Sequence, residues 1–333
     1  MSNGSKLQSG EDSLIARYFK PLATDPGAFG LTDDAAVLKA LGKDIVVTTD
    51  ALVEGVHFLA DDPAETIAQK ALRVNLSDLA AKGASPAGFV LSLALRQVDE
   101  GWLAAFARGL GADATLFNCP LLGGDTVSTP GPLMVSITAF GRVAEGKMVH
   151  RNGAKPGDQV VVTGTIGDAA LGLDILKQGR VAAALAGDVA AREMLVGRYR
   201  VPQPRNPLAS AVLAHAHAAM DVSDGLAGDL AKLCAASGVS AVIDLKSVPL
   251  SAAVSKALAS GAVGMGEIVS GGDDYEILCA VPQGALETFT QSAKAAAVDV
   301  SPIGTVIVGE SAPKWLDAEG KELPLTRTSY SHF

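Results

Sequence analysis

Residues 63–95 read Pro63-Ala-Glu-Thr-Ile-Ala-Gln-Lys70-Ala-Leu-Arg-Val-Asn75-Leu-Ser-Asp78-Leu-Ala-Ala-Lys82-Gly83-Ala-Ser-Pro86-Ala-Gly-Phe89-Val-Leu-Ser-Leu-Ala-Leu95. Up to Lys82 the apolar residues recur at helical spacing, with Ile67, Ala71 and Val74 at i, i+4 and i+7, and Gly83 supplies a stop signal. From Phe89 the period changes to two, so Phe89, Leu91, Leu93 and Leu95 share one face of a strand. A helix feeding a strand through a short glycine turn puts the chain in the α/β or α+β class. Outward from this stretch, 45–49 is a compact β run ending at Asp50, and 13–20 reads as a short helix with a serine cap. A helix over 99–109 follows, then strands near Leu121 and over 133–140. The turn-rich run Asn152-Gly-Ala-Lys-Pro-Gly157, inside 146–158, marks the best domain boundary. Beyond it the pattern restarts with a strand at 159–163 and a helix at 168–177, and later strands are expected at 220–222, 239–245, 275–281 and 303–308.

The chain has 333 residues, enough for two domains at roughly 150 residues each. Its 27 Lys and Arg against 36 Asp and Glu give a net charge of −9, which excludes a basic nucleic-acid footprint and a polybasic membrane patch. Mean hydropathy is +0.29, yet Gly, Asp, Lys or His interrupts every apolar run before it reaches about 18 residues. Cys119, Cys234 and Cys279 lie far apart without metal-type spacing, as expected of a reducing compartment. Residues 1–12 are polar, lack the apolar core of a signal peptide and read as a loose tail. The expectation is a cytoplasmic protein with no membrane partner.

The aspartates carry the chemistry. On a helical wheel of 63–82, Thr66, Gln69, Lys70, Arg73 and Ser77 form the polar arc, whereas Asp78 continues the apolar row of Ile67, Ala71 and Val74. An inward carboxylate needs a partner. A core aspartate capping a neighbouring loop is the alternative to a functional role. Further aspartates stand where strands are expected to end: Thr48-Thr49-Asp50, Gly123-Gly124-Asp125-Thr126, Asp221-Val-Ser223-Asp224-Gly225 and Gly272-Asp273-Asp274. Taken singly, these are helix caps or tight turns. Taken together with Thr32-Asp33-Asp34 and Asp78, they point to hard oxygen ligation of Mg²⁺, because no Cys or paired His accompanies them. Mg²⁺ commonly bridges carboxylates to substrate phosphates. The chain has no P-loop, His-Arg-Asp kinase loop or Gly-x-Gly-x-x-Gly, so metals and glycine-rich backbone would have to hold a nucleotide. Arg151 is a candidate phosphate clamp, or an ordinary linker charge.

The blocks Val46-Val-Thr-Thr-Asp50-Ala-Leu-Val-Glu-Gly-Val-His57-Phe58, Asn75-Leu-Ser-Asp78-Leu-Ala-Ala-Lys-Gly83-Ala, Leu122-Gly-Gly-Asp125-Thr126, Asp221-Val-Ser-Asp224-Gly225-Leu and Ser270-Gly-Gly-Asp-Asp-Tyr-Glu276 resemble the thiamine-monophosphate kinase family in order and spacing, from Ser13 to Phe333. That family belongs to the aminoimidazole ribonucleotide synthetase superfamily. The resemblance implies an α/β (α+β) two-domain fold. Its N-terminal ATP- and Mg-binding domain, 13–148, would dimerise through its sheet. An α/β sandwich over 149–311 and a substrate-contacting segment over 312–333 would follow. It implies Asp34, Thr48, Thr49, Asp50, Asp78, Asp125, Asp221 and Asp224 as Mg²⁺ ligands, with Asp50, Asp125 and Asp224 the most critical. It likewise implies Gly124, Arg151 and Ser223 as ATP contacts, and His57, Asp273 and Tyr330 as contacts to thiamine monophosphate. The chain departs from the pattern at Thr32, where many members have Gly, at Asp273 in place of Glu, and at Ser329 in place of Gly.

The implied activity is ATP-dependent phosphorylation of thiamine monophosphate to thiamine diphosphate by direct in-line transfer, in a homodimer with several Mg²⁺ ions. A phosphate monoester has a second pKa of about 6, so the attacking oxygen is already ionised and no general base is expected. Other superfamily activities are less compatible. The N-terminal region lacks the reactive Cys of selenophosphate synthesis, and Tyr330-Ser-His-Phe333 lacks the terminal Cys of the hydrogenase maturation factor. A metal-dependent phosphatase is separated by whether ATP is consumed only with thiamine monophosphate present. A non-catalytic acidic metal-binding protein would have no use for an inward Asp78.

Overall fold

The computed structural model describes residues 13–31 and 36–325 of the chain. Asp34 and Tyr330, together with Thr32 and Ser329, lie outside the described residues. The chain divides into two compact units, one running to Asn75 and including Pro86–Arg142, the other made of Leu76–Ser85 and the chain from Val143.

The first unit holds a four-stranded sheet in the order β1-β4-β2-β3, with β1 Asp44–Val53, β2 Ser85–Leu95, β3 Leu121–Ser128 and β4 Met134–Val143. Its helices are α1 Ala64–Ala81 and α2 Glu100–Leu116. Strands β2 and β3 run parallel, and α2 supplies the crossover that such a pair requires. The expected stop of this helix at Gly109 is not a stop. A Cβ there would lie 2.3 Å from Glu65 O, so Gly109 lets α1 and α2 approach and the helix continues to Leu116. The expected helix over 13–20 is a π-helical turn, Ile15–Phe19, followed by a 3₁₀ turn, Lys20–Leu22. Ser13 does not cap it, and Pro21 lacks the N–H that a regular continuation would need.

The polar arc expected on α1 is not a solvated face: its Lys70, Arg73 and Ser77 are buried, as is Asn75 on the opposite side. Each finds a partner in its own unit. Arg73 Nε donates to Asp113 Oδ2 at 2.6 Å, and Lys70 Nζ donates to the His57 carbonyl at 2.9 Å. Asn75 Nδ2 donates to Ala71 O at 3.0 Å, and Ser77 Oγ to Tyr275 O at 3.4 Å. The Asn75 Oδ1 atom is the exception among these side chains, buried without a hydrogen-bond partner.

The second unit is built on a six-stranded sheet in the order β10-β7-β9-β5-β8-β6, comprising β5 Gln159–Thr163, β6 Ala218–Asp221, β7 Ser240–Asp244, β8 Ile277–Val281, β9 Val300–Ile307 and β10 Lys314–Leu316. All neighbours are antiparallel except β10 with β7. Alternation along β5 sends Val160 and Val162 into one apolar core and Val161 into another, so the sheet is covered on both faces. One core takes α3 Asp168–Leu176, α4 Arg180–Ala184, α5 Val189–Arg200, α7 Leu226–Ser237 and α8 Ala252–Ala259. The other takes α6 Ala209–His215, α10 Leu286–Ala295 and the end of α1 through Ala80 and Ala81. The short α9, Met265–Val269, completes the unit. No helix among the described residues is long and apolar enough to cross a membrane.

Candidate active site

In the first unit Thr48, Thr49, Asp50, Gly124 and Asp125 lie within strands. Asp50 and Asp125 sit inside β1 and β3, not at strand ends as the sequence suggested, and Asp273 precedes β8. Of the four, Asp221 alone closes a strand. Strand alternation puts Thr48 and Asp50 on one face of β1 and Thr49 on the other. There the Thr49 hydroxyl donates to Ile137 O at 3.2 Å and accepts from Thr138 Oγ1 at 3.0 Å. On β3, Gly124 pairs with Leu91 and Asp125 with Ser92. A Cβ on Gly124 would lie 2.0 Å from Leu91 O, so no larger residue fits that pairing. A cleft of about 430 Å³ runs along this strand, with Gly123, Gly124, Asp125 and Thr126 on one side and Ile15, Phe19, Leu31 and Ala36 on the other. Leu31 ends a 3₁₀ segment, Pro26–Leu31, and Val37 N donates to Gly27 O at 2.9 Å.

His57 sits in a tight turn after β1. Its backbone N donates to Val53 O at 2.9 Å, and its Nδ1 accepts from Val53 N at 3.0 Å. That second bond fixes the neutral ring as the Nε2–H tautomer, a hydrogen-bond donor.

In the second unit two loops interlock. Asp273 N donates to Ser223 O and Tyr275 N to Val222 O, both at 2.8 Å, while Val222 N donates to Glu276 O at 2.8 Å. Asp221, Ser223, Asp224 and Asp273 are thereby brought together. Beneath them Glu276, fully buried, accepts from Arg198 Nη2 at 2.7 Å, Arg205 Nε at 2.6 Å and Thr163 Oγ1 at 2.6 Å. Asp78 and Asp221 both act on Lys82, whose Nζ donates to Ala219 O at 2.8 Å. Burial pushes the Lys82 ammonium below its ordinary pKa, the charges of Asp221 and Asp78 oppose that shift, and Arg151 reinforces it. Arg151 itself is exposed.

The description "AIR synthase related protein, N-terminal domain" matches residues 32–143, and "AIR synthase related protein, C-terminal domain" matches 155–314. A thiamine-monophosphate kinase of Caulobacter vibrioides is 44% identical over 324 residues, 96% of this chain and 89% of its own length. The chain belongs to the thiamine-monophosphate kinase family. The crystal structure of the thiamine-monophosphate kinase from Stenotrophomonas maltophilia, 37% identical, superposes with a TM-score of 0.81 over 94% of this chain and 96% of that one. A second structure, described as AaThiL complexed with AMPPCP and TMP, is 28% identical with a TM-score of 0.74, covering 92% of this chain and 97% of that one.

For a thiamine-monophosphate kinase family member, the question is whether these residues suit Mg²⁺. Among the described residues no group of three or more Asp, Glu, His or Cys side chains is gathered closely enough to hold a metal ion. The donors are carboxylate and hydroxyl oxygens in ones and twos. That set fits a hard cation shared with phosphates better than a closed protein cage.

The sequence left several residues of this family member without a role. Asp229 is wholly buried, its Oδ2 accepting from Asp224 N at 2.9 Å and its Oδ1 from Lys232 Nζ at 2.9 Å. Burial pushes its carboxyl above the ordinary value, against these hydrogen bonds. Lys232 Nζ also donates to Asp224 Oδ2 at 2.5 Å. Burial works against the Lys232 ammonium, and its two carboxylate partners outweigh that and hold its pKa above the usual lysine value. The i, i+3 spacing of Asp229 and Lys232 on α7 was a readable signal. Arg198 and Arg205 gave none, being 78 and 71 residues from Glu276.

Proposed function

We propose that this chain transfers the γ-phosphoryl group of ATP directly to thiamine monophosphate, forming thiamine diphosphate. The observation that carries this reading is the likeness, over nearly the whole length, to proteins named thiamine-monophosphate kinase. AaThiL in complex with AMPPCP and TMP supports the same pair of ligands.

In this reading Asp34, Thr48, Thr49, Asp50, Asp78, Asp125, Asp221 and Asp224 are the Mg²⁺ ligands, and Asp50, Asp125 and Asp224 matter most. Bound Mg²⁺ supplies charge neutralisation where phosphates meet these carboxylates. Gly124 offers backbone to the nucleotide, Arg151 clamps a phosphate and Ser223 contacts ATP. His57 donates from Nε2–H to the substrate, and Asp273 and Tyr330 hold its cationic ring. None of these groups needs to remove a proton, because the monoester oxygen, with a pKa of about 6, is already ionised. The residues work by orienting two anions in line.

The reading includes a homodimer formed through the open face of the first unit's sheet, where Val47 and Val127 are exposed. It also includes the cytoplasm, to which three free, buried cysteines are suited. The test is a product assay with ATP, Mg²⁺ and thiamine monophosphate on wild type and Asp50→Asn. Thiamine diphosphate from the wild type and a loss of at least about 100-fold in kcat for the variant are expected. A folded wild type that forms no thiamine diphosphate overturns the assignment, and an unimpaired Asp50→Asn removes the metal role.

A further inference from the structure

We propose that Lys232 is a built-in counter-cation for Asp224 that a divalent ion must displace, so that Lys232 sets how tightly the protein takes metal before nucleotide arrives. The inference rests on the reading of Asp224 as a metal ligand. Three distances carry it. Lys232 Nζ lies 2.5 Å from Asp224 Oδ2 and 2.9 Å from Asp229 Oδ1, and Asp224 N lies 2.9 Å from Asp229 Oδ2. Asp229 is thus a fixed anchor whose two oxygens hold the backbone of Asp224 on one side and the ammonium on the other.

An ammonium and a hard cation held on one carboxylate repel each other at contact distance, so the two compete for Asp224. Lys232 is nonetheless able to leave without being stranded. Its side chain is 39% exposed, and Asp229 remains as its second partner when Asp224 turns to metal. Asp224, with a side chain 36% exposed, is equally free to exchange partners without unpacking the core. Asp229, fully buried, is not. The arrangement separates a carboxylate that changes partner from one that stays, with the lysine serving both. Lys232 is therefore a positioning residue that acts through Asp224.

The experiment measures Mn²⁺ binding to the full chain without nucleotide, by loss of the free-ion paramagnetic resonance signal, in wild type, Lys232→Gln, Lys232→Met, Lys232→Arg and Asp224→Asn. Lys232→Gln retains a donor for Asp229 and keeps the test valid should Lys232→Met fail to fold. Removing the charge should lower the half-saturating Mn²⁺ concentration roughly tenfold. Lys232→Arg should restore the wild-type value, which a merely structural role would not require. Unchanged or weaker Mn²⁺ binding by Lys232→Gln, with Asp224→Asn impaired, overturns the counter-cation role alone. Unchanged binding by Asp224→Asn overturns the ligand reading and the inference with it.

Discussion

Asp274 stands between two residues with left-handed backbone, Asp273 at φ 71° and Tyr275 at φ 50°. Such conformations cost about 1–3 kcal/mol each and persist where surrounding bonds fix them. Here the donations to Ser223 O and Val222 O do so. Asp274 points inward, accepting from Gly167 N at 2.9 Å. Burial pushes its carboxyl well above the ordinary 3.8, against that hydrogen bond, and the nearby charge of Asp168 adds to the rise. Between 3.8 and the raised value the folded chain keeps a proton that the unfolded chain has released, so stability falls as pH rises through that window. Asp274→Asn keeps an acceptor for Gly167 and removes this dependence. Thermal melts should show the variant gaining on wild type as pH rises above about 4, by at most about 1.4 kcal/mol per pH unit. A pH-independent difference between the two would refute the assignment. The sequence displayed Asp273, Asp274 and Glu276 in one motif, but nothing local distinguished the buried pair from the half-buried Asp273. Their partners, Gly167, Arg198 and Arg205, are remote in the chain, and only tertiary packing introduces them.

At the scale of elements, β3 shows how far local pattern reaches. The alternation of Phe89, Leu91, Leu93 and Leu95 made β2 readable, because a one-sided apolar face writes itself with period two. Its neighbour carries two glycines and an aspartate, so these residues read as a strand end or a tight turn rather than a strand interior. The parallel pairing and the Gly124–Leu91 contact explain why glycine is there. Gly124→Ala should destabilise the chain by about 1–3 kcal/mol, since its Cβ would fall 2.0 Å from Leu91 O. Gly123→Ala, with nothing within 4 Å of the new Cβ, should change stability by no more than about 0.5 kcal/mol. Urea denaturation of both variants checks this, and equal effects would contradict the pairing. Helix α1 makes the opposite point. Its existence and length were plain from periodicity, but its polar arc misled, because burial of Lys70 and Arg73 depends on His57 O and on Asp113, which no wheel displays.

For the whole molecule, turn composition and the restart of strand and helix signals pointed to a boundary within residues 146–158, whereas the two units divide between Arg142 and Val143, and Leu76–Ser85 belongs to the second. The proposed homodimer has no comparable signal in composition or periodicity, since an exposed strand face is written in the same residues as a solvated one. Sedimentation equilibrium should give twice the chain mass for wild type and a monomer for Val47→Glu, which places a charge on the exposed sheet face. An unaltered mass for the variant would remove the sheet as the dimer contact. Chain order and spatial order also part company at α1. Leu76, Leu79, Ala80 and Ala81 are wholly buried, and Ala80 and Ala81 share a core with Val149, Leu208, Phe289 and Val298. A ribosome delivers the helix end long before it delivers Phe289. During synthesis those apolar side chains wait without their cover, exposed to chaperones and to neighbouring nascent chains. A message cut short just after residue 142 would yield a polypeptide that keeps this bare helix end permanently, a ready target for degradation.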